Sequence, residues 1–181
     1  MFNFDEFYQV FESIKQPSYL ELFPKNILEY LHDENESIPV MQKEITQVLS
    51  LEKICSGKTF DEIFIDDVLS DLQNEFLDFN YLTNGAYSYY ILGILSFCVK
   101  NETKNQKEKQ ILFNYLYEYF LNFKSSYFLK NFNIYSIKQL QFLARNLKEV
   151  MERNISLDIS KEKITNMQYG YEYYWNMYLD D

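Results

Sequence analysis

Four glycines and three prolines in 181 residues leave this chain few places to turn sharply. β-Sandwiches, glycine-cradled phosphate sites and low-complexity linkers all draw heavily on these two residues, so their scarcity points to helices joined by a small number of tight turns. Apolar periodicity agrees. Phe7, Phe11 and Ile14 fall at i, i+4 and i+7, one face of a first helix over about residues 5–15 that Pro17 ends. Ser18-x-x-Glu21 has capping-box spacing ahead of Ile27, Leu28 and Leu31. Pro39 suits the first turn of a third helix carrying Val40, Ile45, Val48 and Leu49, and Gly57 is placed to stop it in the left-handed conformation.

Thr59-x-x-Glu62 is a second capping box, and the fourth helix it opens runs to about Phe79 with Phe64, Val68, Leu72 and Phe76 inward. Asn84 is positioned to cap a fifth helix through Val99. The sixth, over about 106–123, is apolar nearly all round through Leu112, Phe113, Leu116, Phe120 and Leu121, the pattern of a central element covered on several sides. Ser136 opens a seventh helix through Met151, with Leu140, Leu143, Leu147 and Val150 inward, and Ser160 begins an eighth that ends near Tyr178. Only Ile155 to Ser160 alternates like a strand, too short to found a sheet. Without repeats or a break in composition, the chain reads as one all-α domain over 1–181, a compact multi-helix fold of about seven to nine helices around the apolar helix at 106–123. Leu72, Leu116, Phe120 and Leu143 should be among its most buried side chains.

The formal net charge is −10, which opposes direct binding to nucleic acid, where counterion release rewards Lys and Arg. Two cysteines, Cys55 and Cys98, are too few for a secreted disulfide framework, and the acidic start of the chain lacks the basic region of a secretory signal. Residues 79–99 carry no charge, but Asn80, Thr83, Asn84, Gly85 and Ser88 interrupt them, so a core helix is expected there rather than a membrane span. The reading that follows is cytoplasmic.

Charge is unevenly spread. Asp61, Glu62, Asp66, Asp67, Asp71, Glu75 and Asp78 occur between residues 59 and 99 with no Lys or Arg among them. Asp67, Asp71 and Asp78 lie at i, i+4 and i+11 of the fourth helix with Glu75 on the same edge, and like charges at i, i+4 cost a helix about 0.2–0.5 kcal/mol per pair. The explanations are internal pairing with Lys100, Lys104, Lys107 or Lys109, simple solvation of an outer helix face, or an acidic stripe that docks a basic protein. The aromatic content, 17 Tyr and one Trp beside 16 Phe, adds a second interface signal, because Tyr and Trp anchor protein contacts. Tyr87, Tyr89 and Tyr90 form one cluster, and Tyr169 to Tyr178, including Trp175, form another. Exposed anchors and the edge of the core are the two readings of these rings.

Chemistry is sparse. Glu29-x-x-His32 has the spacing with which one helix face offers a carboxylate and an imidazole to a di-iron centre, but His32 is the single histidine. A nucleophilic triad would have to use that same His32, and no glycine-rich nucleotide loop is present. Over six residues, Asp66-Asp67-x-x-x-Asp71 resembles the acidic helical motif of prenyl synthases, in which aspartates on one helix bind metal and diphosphate; the second motif and the basic residues are missing. The expectation is a non-catalytic protein with no cofactor, no metal and no catalytic residues. It would bind a basic partner, a nuclease or nucleic-acid-binding protein, as toxin-immunity proteins and phage inhibitors of host systems do. Partner contacts are assigned to Asp67, Asp71, Glu75, Asp78, Tyr87, Tyr89, Tyr90 and Trp175. The alternatives are a helical ligand-binding or enzymatic domain with an aromatic-lined pocket, and a self-associating subunit or homodimer.

Overall fold

The computed structural model describes residues 3–27, 39–63, 78–100, 106–124, 128, 132–154 and 160–179. Among them every regular element is helical and no strand occurs, in agreement with the all-α expectation of seven to nine helices. Contacts group the chain into two units, one of Lys15–Gly93 and one of Met1–Ile14 with Ile94–Asp181.

In the unit of residues 15–93, the Ser18–Glu21 box is formed: the Glu21 carboxylate accepts from Ser18 N at 2.8 Å and Ser18 Oγ at 2.7 Å. The helix it opens, Tyr19–Leu22, ends at Phe23, whose extended backbone precedes Pro24. A long helix, Pro39–Cys55, begins at proline as expected, and Gly57 follows it at φ 70°. Its buried side is Val48, Leu51, Ile54 and Cys55, whereas Leu49 is half exposed. That corrects the expected face: Leu51 and Ile54 follow Val48 at i+3 and i+6, and Leu49 sits about 100° round the helix from Val48 and farther still from the other two. Thr59 and Glu62 form their box, with the Glu62 carboxylate 2.7 Å from Thr59 N. The helix expected from it lies mostly outside the described residues, together with Phe64, Val68, Leu72 and Phe76; its expected end is instead a 3-10 turn, Phe79–Tyr81.

The helix Asn84–Lys100 enters this unit under Thr83, not Asn84. Thr83 Oγ1 accepts from Ala86 N at 3.2 Å and itself donates to the Glu21 carbonyl, so one hydroxyl starts this helix and ties it to the end of Tyr19–Leu22. Tyr90 closes the other side, its hydroxyl directed at the carbonyls of Cys55 at 2.6 Å and Lys58 at 3.1 Å.

In the second unit we number the helices in chain order: α1, Phe4–Phe11; α2, Gln106–Leu116; α3, Ile137–Asn154; and α4, Lys161–Gly170. Asn3 caps α1 by accepting from Asp5 N and Glu6 N. Ser136 caps α3, accepting from Gln139 N at 3.3 Å while Gln139 Oε1 accepts from Ser136 N at 2.8 Å. Gln139 is buried, and its amide donates to the Val10 carbonyl of α1 at 2.9 Å. The expected inward positions of α3, Leu140, Leu143, Leu147 and Val150, are all buried, as are Leu116 and Phe120. Phe7, Phe11 and Phe142 fill the space between α1 and α3 with centroids 5.1–5.8 Å apart.

Both α2 and α4 change pitch at their ends. α2 widens into a π-turn over Tyr117–Leu121, closed by Asn122 N donating to the Tyr117 carbonyl at 2.8 Å, and α4 does the same over Tyr171–Trp175 before a 3-10 turn at Asn176–Tyr178.

Candidate functional site

The two π-turns belong to one packed region. A Cβ on Gly170 would strike the backbone carbonyl of Leu121, so only glycine lets α4 approach α2 this closely. Past that contact, Trp175 is fully buried and its indole N–H donates to the Phe120 carbonyl at 2.6 Å. Phe120 lies in the last turn of its helix, where carbonyls lack intrahelical donors, and the indole supplies one. Tyr171 is also buried, donating to the Ala144 carbonyl of α3 at 2.9 Å. Phe128, Phe132 and Tyr174 surround the indole, with Phe132 edge-on to it at 4.8 Å.

With Tyr171 and Trp175 turned inward, Tyr169, Tyr173 and Met177 are left outward at i, i+4 and i+8. They are 48%, 68% and 57% exposed, respectively. Phe123, in the turn after the first π segment, joins them. Its ring lies 5.1 Å from Tyr169 and 6.2 Å from Tyr173, and Tyr169 and Tyr173 are 5.2 Å apart and within 24° of parallel. Two exposed, near-parallel tyrosines therefore share one patch with the half-buried Phe123 ring, which stacks on Tyr173 and tilts against Tyr169.

On another side of α4, Lys163 lies 4.6 Å above the Tyr117 ring and donates to Asn114 Oδ1. Desolvation pushes this ammonium below its usual range, against the pull of Glu118. Burial raises the Tyr117 hydroxyl, which Asn166 partly offsets. These contacts fasten α4 to α2.

A cavity of about 150 Å³ opens between α2, α3 and α4. Phe113, Met151, Ile164, Met167 and Tyr171 line it, together with Lys148, Glu152, Gln168 and Glu172.

The assigned partner residues are placed differently from expectation. Tyr87, Tyr89, Tyr90 and Trp175 are at most 5% exposed, so the expectation of exposed anchors at these four is corrected. Tyr90 and Trp175 reach carbonyl acceptors inside the fold, and Tyr89 packs edge-on against Phe60 and Tyr90. Asp78 is half-buried and caps the 3-10 turn, accepting from Asn80 N at 3.0 Å and Asn80 Nδ2 at 2.6 Å. Asp67, Asp71 and Glu75 lie outside the described residues, as do Asp66, Glu29 and His32. The exposed rings of Tyr169 and Tyr173 were not separated from their neighbours by sequence reasoning. The signal was the period-4 alternation across Gly170, in which Tyr171 and Trp175 take one side and Tyr169, Tyr173 and Met177 the other.

Among the described residues no three His, Cys, Asp or Glu side chains group to hold a metal, and no helix is long and apolar enough to cross a membrane. Both cysteines are free, and burial pushes the Cys55 thiol up strongly and the Cys98 thiol up to about 12. Thiols held protonated in this way are weak nucleophiles at neutral pH. Comparison with protein-family models, with curated proteins and with solved structures finds no match, so the case for function rests on the exposed rings, the cavity and the charge of the chain itself.

Proposed function

We propose that this chain is a non-catalytic acidic protein that docks onto a basic protein, a nuclease or nucleic-acid-binding protein, in the manner of a toxin-immunity protein or a phage inhibitor. The observation that carries the reading is the exposed pair Tyr169 and Tyr173, stacked on one another, 48% and 68% exposed, and backed by the half-buried Phe123 ring. Aromatic anchors of this kind gain most when a partner excludes water from them. The sign of the partner comes from charge: the chain carries −10, and residues 59–99 hold seven acids and no base. Acidic proteins present carboxylates where phosphates would meet a basic face, which speeds the encounter.

The test is to identify the basic protein that co-purifies from cells and measure its binding kinetics. Tyr173→Ala and Tyr169→Ala should accelerate dissociation, and Asp71→Lys with Glu75→Lys should slow association. A partner indifferent to all four substitutions would overturn the reading. If sedimentation instead shows a dimer that Tyr173→Ala dissociates, the patch serves self-association.

A further inference from the structure

We infer that the cavity between α2, α3 and α4 is an anchor site for an arginine side chain of the basic partner, its alkyl stem among Met151, Ile164 and Met167 and its guanidinium between Glu152 and Glu172. The inference rests on the basic-partner reading and adds to it the group that is gripped. The cavity measures about 150 Å³. An apolar space of roughly this volume takes up one benzene-sized group, so it holds a single side chain rather than a peptide segment. Its walls are apolar, and two of them are methionines, whose unbranched thioethers adapt to what enters.

Charge chooses the occupant. Two carboxylates, Glu152 and Glu172, border the cavity against one ammonium, Lys148, so a cation is preferred there to an anion. Among the described residues neither Glu152 nor Glu172 is held in an ion pair, which leaves both to a visitor. A purely apolar occupant would gain the walls and leave the carboxylates unused. Arginine uses both, because its stem buries while its head stays at the mouth. It also suits the site better than lysine. The planar guanidinium is more weakly hydrated than an ammonium, and its fork of donors can meet two carboxylates at once.

The experiment uses the full chain with ¹³C-labelled Met and Ile methyl groups, titrated separately with N-acetyl-arginine methylamide and with the norleucine and glutamate amides of the same form. The arginine amide should shift the Met151, Met167 and Ile164 methyls saturably and bind roughly fivefold more tightly than the norleucine amide. Glu152→Gln with Glu172→Gln should erase that preference while the norleucine shift persists, which shows the cavity still folded and open. Equal or tighter binding of the norleucine amide to the unmodified chain overturns the inference in favour of an apolar ligand. Tightest binding of the glutamate amide overturns it in favour of an anion held by Lys148. No methyl response to any probe removes the cavity as a site. If the probes fail while partner association still falls with added salt, the arginine assignment alone is lost and the basic-partner reading stands.

Discussion

At Trp175 a single indole decides what the C-terminal segment is for. Its N–H meets the Phe120 carbonyl at 2.6 Å inside a cage of aromatic rings, so a residue with the credentials of an interface anchor is a core residue instead. Composition could not show this. Tyrosine and tryptophan bury where a carbonyl can take their proton, and the accepting carbonyls of Phe120 and Cys55 lie where helices end, a property of the assembled fold. Trp175→Phe should keep most of the packing yet strand the Phe120 carbonyl, at a cost of about 1–3 kcal/mol in chemical denaturation. Gly170→Ala should cost a similar amount, about 1–3 kcal/mol or more, because the new Cβ meets backbone at Leu121 that cannot swing away. Leu116→Ala or Phe120→Ala, at sites with no exposure, should cost roughly 2–5 kcal/mol. These residues were legible from the all-round apolar pattern of 106–123, which needs only periodicity to be read.

Helix boundaries were legible where side chains cap them. The Ser18–Glu21, Thr59–Glu62 and Ser136–Gln139 pairs all form, and each is specified by two residues three apart. Thr83 was harder to find, since Asn84 beside it is an equally good cap by type; Thr83 prevails because its hydroxyl also reaches the Glu21 carbonyl. The π-turns left no mark beyond Gly170, because the extra residue per turn is set by packing of one helix end on another. Hydrogen bonds from Ser18 and Thr59 hold the Glu21 and Glu62 carboxyls below the ordinary value of 4.5. Groups depressed in the folded state contribute stability that is complete above their unfolded value and is lost as pH falls through the lowered folded value. Thermal melts of Glu21→Gln with Glu62→Gln should therefore show a lower melting temperature at neutral pH and a shallower decline below about pH 4.5 than the unmodified protein. Parallel curves down to acid would mean that the boxes add nothing.

At the scale of the whole molecule, an acidic chain carries two exposed stacked tyrosines, Tyr169 at the end of α4 and Tyr173 in the turn after it, and a cavity among α2, α3 and α4. The all-α class followed from scarce glycine and proline with helical periodicity, whereas the patch needed the fold, which sorts one tyrosine-rich segment into inward Tyr171 and Trp175 and outward Tyr169 and Tyr173. Exposed charges steer association over about 10 Å at 0.1 M salt, and buried anchors govern dissociation. The most direct test is the association and dissociation rate of the co-purifying basic protein from low to high ionic strength, for the unmodified chain and for Tyr173→Ala. The account predicts an association rate that falls steeply with salt, and a dissociation rate that salt leaves nearly unchanged and Tyr173→Ala raises about tenfold or more. An association rate flat in salt, with dissociation unaffected by Tyr173→Ala, would contradict it.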